Sequence, residues 1–312
     1  MLKILISEFM DEAAVASLRA DFTTIYDATL VDRPDEMIAK LHDVDALIVR
    51  NKTQVNVQLL AAAPILKVVG RLGVGLDNID MAACKARGVE VIPATGANAL
   101  AVAEYVIATA MLLLRGSFGS TATVAAGQWP RSVLSNGREI NGKTIGIVGF
   151  GGIGQLTAQL AQGLGMRVVA HDPMIAAAAP LWKETGVTCR TLDEVIAVSD
   201  VLTLHIPLTP ETRNLISAAR LALMKADAVL INSARGGIID ETALATALRE
   251  KRLGGAALDV FDDEPLKGGS PLAGCPNLFL TPHIAGVTTE SNTRVSSMIA
   301  QRVAAYLASS HK

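Results

Sequence analysis

The amino-acid sequence predicts an α/β protein with two doubly wound parallel-sheet domains. Short apolar runs alternate with helical patterns along most of the chain, which is typical of parallel strands connected by helices. A glycine-rich turn between an apolar strand and a helix lies at residues 149–154, near the middle of the chain. The 312 residues are enough for two hydrophobic cores. We therefore expect one domain before the glycine turn and a second around it, with a cleft between them.

Residues 1–95 have the pattern of a small α/β lobe. A helical pattern begins at Pro34 and extends to Leu41, and proline is favoured in the first turn of a helix. Because strands and helices alternate, we expect a parallel sheet with helices on its faces. Apolar runs predict the strands of this lobe at Lys3–Ile6, Ala46–Val49, Leu66–Val69 and Val89–Ile92.

The second half opens with a long helical pattern from Asn98 to Arg115, followed by a polar stretch from Gly116 to Gly142. Asp240 is a candidate N-cap for one of its later helices. Beyond the glycine turn, strands are predicted at Val201–His205, Ala228–Asn232, Ala256–Val260 and Leu278–Leu280, and helices near Ile216–Lys225 and Glu241–Lys251.

The last helical pattern is roughly Thr289–Leu307. It follows a complete second sheet, so little of that sheet remains for this helix to cover. We expect this helix to return to the first lobe, which makes that lobe discontinuous. The predicted domains are therefore residues 1–97 with 286–312, and residues 98–285.

The turn G-F-G-G-I-G follows the strand at 144–148 and precedes a helix. Gly149 allows the tight turn, Gly151 lets backbone amides approach a pyrophosphate, and Gly154 lets the helix pack closely on the strand. Asp172 lies 18 residues past Gly154, where a carboxylate can reach the adenosine ribose hydroxyls. The pattern predicts a Rossmann-like dinucleotide-binding domain, with the pyrophosphate at the helix N-terminus. The first lobe is expected to be a Rossmann-like or flavodoxin-like sheet of the same kind.

Composition narrows the class of protein. The formal net charge is −2 and aromatic residues make up 4%, which argues against a nucleic-acid-binding protein. Cys84, Cys189 and Cys275 are widely spaced, so they suggest neither disulfides nor a metal site and fit a reducing compartment. The N-terminus lacks a signal-peptide pattern, and the apolar helix at Val102–Leu114 is too short to span a bilayer. We expect a soluble cytoplasmic protein without a metal.

Three polar residues in the second half lie in loops that follow predicted strands, where ligands bind in open α/β sheets. His283 can transfer a proton at neutral pH, Glu264 can hold its other ring nitrogen, and Arg235 suits bidentate binding of a carboxylate. Each also has an ordinary structural interpretation, as a capping histidine, a solvated acidic turn or a surface charge. Together they favour a single site.

The motifs around these residues resemble one family. The chain is similar to the D-isomer-specific 2-hydroxyacid dehydrogenases over essentially its whole length, and most to the D-3-phosphoglycerate dehydrogenase branch in a short form without a regulatory domain. The segments that carry the resemblance are G-R-L-G-V-G-L-D-N-I-D (70–80), N-A-L-A-V-A-E (98–104), G-F-G-G-I-G (149–154), H-I-P-L-T-P-E-T (205–212), I-N-S-A-R-G-G (231–237), L-D-V-F-D-D-E-P (258–265) and T-P-H-I-A-G (281–286).

The resemblance implies a role for each residue of the site. His283 would be the general acid/base, Glu264 its partner, and Arg235 the group that binds the substrate's carboxylate and oxo group. Asp259 matches the position that binds the nicotinamide carboxamide. The family's cofactor contacts match Gly149, Gly151, Gly152, Ile153, Gly154, Asp172, His205, Pro207, Ala234 and Asp259.

The family also implies the cofactor and the assembly. It typically uses NAD and forms homodimers through the cofactor domain, so we expect both here. A carboxylate at Asp172 repels a 2′-phosphate, which predicts NAD over NADP. Gly152 stands where the family often has arginine, so one pyrophosphate contact is expected to be missing.

The first lobe is expected to recognise the rest of the substrate. Arg50, Lys52 and Arg71 lie in loops that resemble the family's substrate-facing loops, and the amides of Leu72, Gly73 and Val74 match its carboxylate-binding loop. If the three cations face the substrate, it carries a second anion. The candidates are 3-phosphoglycerate and 3-sulfolactate, with glycerate/hydroxypyruvate or glyoxylate chemistry less favoured. Ordinary surface charge is the alternative.

Two other functions are weighed against this one. An NAD(H)-sensing protein like the corepressors built on this fold could retain the same three residues, and a turnover assay separates the two classes. Formate dehydrogenases resemble the family but pair the histidine with glutamine, so Glu264 argues against that branch.

Overall fold

The computed structural model describes residues 1–309. The chain divides into two compact units, residues 1–98 together with the segment that begins at Val287, and residues 99–286. The chain passes between the units one residue later than predicted, after Asn98 and after Gly286.

The first unit contains a parallel sheet in the order β2-β1-β3-β4-β5 within the described residues. Its strands are β1 (Lys3–Ile6), β2 (Thr23–Tyr26), β3 (Ala46–Val49), β4 (Val68–Arg71) and β5 (Glu90–Pro93). Its helices are α1 (Glu12–Asp21), α2 (Pro34–Lys40), α3 (Val57–Ala62), α4 (Met81–Ala86) and, from the end of the chain, α13 (Thr289–Ser309).

Both faces of this sheet are buried, which explains why its strands are apolar without alternation. Ile4 and Ile48 pack on the face covered by α1 and α13, whereas Leu5 and Leu47 pack on the opposite face. Gly70 in β4 allows α13 to approach closely, because a Cβ there would lie 2.8 Å from a methyl carbon of Ile299. The terminal helix thus completes the first unit.

The second unit contains a parallel sheet in the order β12-β11-β10-β9-β6-β7-β8. The strands are β6 (Thr144–Val148), β7 (Arg167–His171), β8 (Thr188–Cys189), β9 (Val201–Leu204), β10 (Val229–Asn232), β11 (Gly255–Leu258) and β12 (Leu278–Leu280). The helices are α5 (Ala99–Arg115), α6 (Thr121–Ala125), α7 (Arg131–Leu134), α8 (Gly152–Gly163), α9 (Pro180–Thr185), α10 (Leu192–Val198), α11 (Ala218–Leu221) and α12 (Glu241–Arg249).

The predicted fold class, two doubly wound α/β domains, is confirmed. The strand order reverses between β6 and β9, and a doubly wound sheet binds its ligand at the carboxyl ends of such strands. Asp240 caps α12 as predicted, because its carboxylate accepts the Ala243 amide at 2.9 Å.

Over residues 1–309, no single helix is long and apolar enough to cross a membrane. One bent pair, Ala99–Arg115 with Phe118–Ala125, reaches the required length and composition.

Candidate active site

The turn between β6 and α8 can accept only glycine at two positions. Gly149 has a φ of 92°, and a Cβ there would lie 2.4 Å from the carbonyl oxygen of His205. A Cβ on Gly154 would lie 2.3 Å from the carbonyl oxygen of Gly149. A Cβ on Gly151 or Gly152 would meet no heavy atom of a more distant residue within 4 Å, so their surroundings are open. The two outer glycines therefore shape the turn, and the two inner ones leave space above it.

The open space lies at the N-terminus of α8, a helix of 12 residues. The first amides of a helix have no acceptor within the helix, and they carry its positive partial charge. Gly151, Gly152 and Ile153 contribute these amides at the reversal of strand order. This part of the turn fits the pyrophosphate of a dinucleotide.

Asp172 follows β7 and is tied to the glycine turn. One carboxylate oxygen accepts the Phe150 amide at 2.8 Å, and the other accepts the Met174 amide at 2.9 Å. The carboxylate is thereby fixed beside the turn, where it can also bind ribose hydroxyls.

His205 lies against the same turn, at the end of β9. Its amide donates to the Val148 carbonyl at 2.7 Å, and its Nε2 lies 3.1 Å from the Thr203 hydroxyl. Burial lowers the pKa of His205 to about 4, so the ring is neutral at neutral pH. Pro207, two residues later, is exposed, and its carbonyl accepts the Thr212 hydroxyl at 2.7 Å.

Arg235 lies in the loop after β10. Asn232 fixes this loop, because its side-chain amide donates to the Arg235 carbonyl at 2.8 Å and accepts the Ala234 amide at 3.0 Å. Arg235 Nη1 donates to the Ala234 carbonyl at 2.6 Å. A Cβ on Gly236 would lie 1.7 Å from the Phe261 carbonyl oxygen, so glycine lets this loop pack against the loop that carries Glu264.

His283 and Glu264 form a hydrogen-bonded pair, with Nδ1 and Oε2 2.7 Å apart. The other oxygen of Glu264 accepts the Phe261 amide at 3.1 Å, which orients the carboxylate. The side chains are 48% and 36% exposed, so the pair is open to a ligand. With Nδ1 held by a carboxylate, Nε2 is the ring nitrogen that can exchange a proton with a substrate.

The loop that carries His283 is held by Asp259, a residue that is 1% exposed. The Asp259 carboxylate accepts the amides of Ile284 and Ala285 at 2.8 and 2.7 Å, and the Thr281 hydroxyl at 2.6 Å. The Tyr105 hydroxyl lies 2.7 Å from that of Thr281. Neither residue was assigned a role from the sequence, although Thr281 opens the segment T-P-H-I-A-G (281–286), because no local pattern shows that the two hydroxyls meet.

In the first unit, Glu8 organises the loop after β3. Its buried carboxylate accepts four backbone amides, from Arg50, Asn51, Lys52 and Thr53, at 2.8–3.3 Å. Burial raises the pKa of Glu8, but these hydrogen bonds outweigh that effect and hold the pKa below its usual value. Glu8 was also missed in the sequence, because an isolated acidic residue after a strand carries no signal.

The predicted cations of this loop have different surroundings. Arg50 is half-buried; its Nη2 donates to the Asn292 amide oxygen at 2.9 Å, and its guanidinium carbon lies 5.9 Å from the Phe9 ring centre. Burial lowers the pKa of Arg50, and the charge of Glu8 opposes that shift. Lys52 is exposed, with Nζ 3.6 Å from a carboxylate oxygen of Asp32.

The loop after β4 only partly fits the predicted amide site. The Leu72 amide donates to Val49 and the Gly73 amide to Arg71, both at 2.8 Å. These two amides are therefore engaged within the backbone, which corrects the expectation that all three face a substrate. Arg71 Nη1 donates to the Leu72 carbonyl at 3.1 Å, so its side chain folds back over its own loop. Val74 is partly exposed, and its amide bonds to no described residue.

The structure thus brings the predicted residues together in two groups. Arg235, Glu264 and His283 lie in loops after β10, β11 and β12, which are neighbours in the second sheet. Arg50, Lys52 and Arg71 lie at the carboxyl ends of β3 and β4, which are neighbours in the first. The described residues include no group of three or more His, Cys, Asp or Glu side chains that could hold a metal ion.

Comparison with known proteins identifies the family of the chain. Residues 107–285 match the family model described as D-isomer specific 2-hydroxyacid dehydrogenase, NAD binding domain. The (S)-sulfolactate dehydrogenase of Chromohalobacter salexigens is 52% identical over 296 residues, which cover 95% of both chains. The D-3-phosphoglycerate dehydrogenase of Mycobacterium leprae is 39% identical over 307 residues, 98% of this chain but 57% of that one.

The chain thus spans little more than half the length of that phosphoglycerate dehydrogenase. Among solved structures, the NAD-dependent formate dehydrogenase from Staphylococcus aureus in complex with NAD has a TM-score of 0.80 and 28% identity. That similarity covers 98% of this chain and 96% of the other.

Proposed function

The chain belongs to the D-isomer specific 2-hydroxyacid dehydrogenase family, and on that premise we propose that it oxidises or reduces a small 2-hydroxy acid with a second anionic group on C3. It is an NAD-dependent oxidoreductase of that family. The observation that carries the proposed chemistry is the exposed His283–Glu264 pair, with its 2.7 Å hydrogen bond, in the same unit as the dinucleotide turn.

NAD, when bound, accepts or returns the hydride of C2. His283 Nε2 takes the proton of the C2 hydroxyl in oxidation and gives it back in reduction. Glu264 keeps Nδ1 protonated and stabilises the imidazolium that this transfer creates. Arg235 holds the carboxylate and the C2 oxygen, which keeps the reacting carbon in place.

We place the second anion at Arg50. This guanidinium is half-buried and is bound by a neutral amide, so it has charge available for a ligand. The relative that is similar over 95% of its own length acts, by its name, on (S)-sulfolactate. We therefore favour 3-sulfolactate as substrate, and 3-phosphoglycerate as the second candidate because of the shorter similarity to phosphoglycerate dehydrogenases.

The configuration of these substrates is consistent with one site. In 3-sulfolactate the CH2 group on C2 ranks above the carboxylate in the R/S rules, because this CH2 carries sulfur. The spatial arrangement that is labelled R in D-lactate is therefore labelled S in 3-sulfolactate. (S)-sulfolactate and D-3-phosphoglycerate therefore present the hydrogen, hydroxyl, carboxylate and C3 arm of C2 in the same order. We propose that the enzyme accepts this arrangement and discriminates against its mirror image.

Assembly, location and cofactor preference complete the proposal. Phe118, Trp129 and Val133 are 61–77% exposed on the segment between α5 and β6, which supports a homodimer formed through this segment. Cys84, Cys189 and Cys275 are free thiols, in keeping with a cytoplasmic enzyme. The carboxylate of Asp172 favours NAD over NADP.

The decisive experiment measures kcat/KM with NAD or NADH across 3-sulfolactate (both enantiomers), 3-phosphoglycerate, D-glycerate, D-lactate and the matching oxo acids. We expect values at least tenfold higher for substrates with a second anion. Equal values across the panel would refute the second-anion proposal. Binding of NADH without turnover of any member would instead indicate a nucleotide sensor.

A further inference from the structure

The carboxylate of Asp259 accepts hydrogen bonds at both oxygens. Oδ1 accepts the Thr281 hydroxyl and the Ile284 amide, and Oδ2 accepts the Ala285 amide. The Asp259 carbonyl also accepts the His283 amide at 2.8 Å. Asp259 therefore fixes the backbone from His283 to Ala285 and also holds the side chain of Thr281, two residues before His283.

These contacts matter because His283 has an uncommon backbone conformation. Its φ is 55°, in the left-handed region that is uncommon for residues other than glycine, although histidine is found there more often than most. Such a conformation persists only when surrounding contacts determine it. The position of the imidazole thus depends on the contacts of its loop with Asp259.

Tyr105 is hydrogen-bonded to Thr281, and the donor of this hydrogen bond can be identified. The Thr281 hydroxyl has one proton, and it donates that proton to Asp259. The 2.7 Å contact between Tyr105 and Thr281 must therefore be donated by the tyrosine. Burial raises the pKa of Tyr105, the Thr281 contact opposes this, and the charge of Asp259 adds to it, so the phenol keeps its proton.

From this geometry we propose that Tyr105 is a positioning residue for His283, acting through Thr281 and Asp259. Its proton orients the Thr281 hydroxyl toward Asp259, and Asp259 then holds the loop in the conformation that presents Nε2. The inference rests on the proposed role of His283 as acid/base. Tyr105 lies on α5, 176 positions away from Thr281 in the chain, so this inference assigns a role in catalysis to a residue far from the site in sequence.

The test compares Tyr105→Phe, Thr281→Val and the double variant in steady-state turnover. Tyr105→Phe keeps the ring and removes only the donated proton. We expect a fall in kcat of about tenfold, since a displacement below 1 Å at a reacting group can cost this much. KM and the Kd for NADH should stay within about twofold, because binding groups are untouched. The double variant should be no slower than Thr281→Val, and Thr281→Ser should recover most of its loss.

Thr109→Val is the matched control, because Thr109 is a buried residue of the same helix whose hydroxyl, within residues 1–309, bonds only to the backbone carbonyls of Tyr105 and Val106. A primary isotope effect on kcat with C2-deuterated substrate should rise in Tyr105→Phe and stay unchanged in the control. Wild-type kcat and isotope effect in Tyr105→Phe would overturn the positioning role, as would an equal loss in Thr109→Val. Full activity of His283→Ala, or no turnover by the wild type, would instead overturn the proposed function.

Discussion

Arg50 donates a hydrogen bond to the side-chain oxygen of Asn292 at 2.9 Å, so a neutral group fixes the position of this guanidinium. The guanidinium forms no ion pair within residues 1–309, although Glu8 holds the backbone of the same residue. A half-buried cation without an ion-pair partner is costly unless a ligand supplies the opposite charge. The pairing of Arg50 with an amide rather than a carboxylate is thus a feature that an anionic substrate explains.

Replacing Asn292 by aspartate should lower selectivity for substrates with a second anion. The new carboxylate would pair with Arg50 and neutralise its charge. We expect kcat/KM for 3-sulfolactate and 3-phosphoglycerate to fall on the order of tenfold, and that for D-lactate to change little. Gln301→Glu, on the exposed side of the same helix, controls for added charge. An equal loss for all substrates would argue against the assignment of Arg50.

Removal of the imidazole should abolish catalysis but not cofactor binding. His283→Ala is expected to reduce kcat by about 10²–10⁴-fold, the usual contribution of general acid–base catalysis. The ring bonds to Glu264 and not to the glycine turn, so the Kd for NADH should be retained. Stopped-flow measurement of NADH consumption, with fluorescence titration of NADH, checks both parts. A variant with near-normal kcat would rule out this acid/base assignment.

Loss of the Glu264 charge should lower kcat less than loss of the His283 imidazole does. Glu264→Gln keeps an acceptor 2.7 Å from Nδ1 in the same geometry but no longer stabilises an imidazolium. We expect kcat to fall by about tenfold to a hundredfold, with KM little changed. If Glu264→Gln matched the wild type in kcat, the pair would be a structural contact only.

Regular hydrophobic spacing explains why much of the fold could be predicted. β1, β3 and β12 occupy the predicted residues, because buried parallel strands read as short apolar runs between polar turns. β2 (Thr23–Tyr26) was missed, since it is a partly exposed edge strand that opens with two threonines. Predicted boundaries of β4 and β5 fall one or two residues early, as is common for strand ends set by neighbouring strands.

The candidate site also has residues that the sequence predicts and residues that it does not. Motif spacing predicts the glycine turn, and loop position after a strand predicts His283, Glu264 and Arg235. Tyr105 and Asn292 could not be found, because their partners lie 176 and 242 residues away and only the folded chain brings them together. The Leu72 and Gly73 amides were assigned to a ligand because sequence does not show which backbone amides already have acceptors.

Substitution should be harmful at the outer glycines of the dinucleotide turn and tolerated at the inner ones. Gly154→Ala places a Cβ 2.3 Å from a backbone oxygen and should weaken NADH binding at least tenfold and lower Tm. Gly152→Ala meets open space and should leave both nearly unchanged. Gly152→Arg adds a cation beside the predicted pyrophosphate and should tighten NADH binding several-fold. Titration of protein fluorescence with NADH tests all three, and weaker binding in Gly152→Arg would contradict the placement of the pyrophosphate.

The ring of His205, which is largely removed from water, should make the second unit lose stability as the pH falls. Burial lowers its pKa to about 4 in the folded state, against about 6.5 when unfolded. Between these values the unfolded state binds more protons, so the free energy of unfolding rises with pH there and is fully gained above pH ~6.5. The slope can reach about 1.4 kcal/mol per pH unit.

His205→Gln, whose amide can still reach the Thr203 hydroxyl, should reduce this dependence on pH. Trp129 and Trp182 both lie in residues 99–286, so tryptophan fluorescence during urea unfolding reports on that unit. We expect the wild type to lose more unfolding free energy than His205→Gln between pH 6.5 and pH 4.5. His171→Gln, which removes another imidazole from the same unit, is the matched control. Parallel profiles for wild type and His205→Gln would show that this imidazole does not set the acid limit of stability.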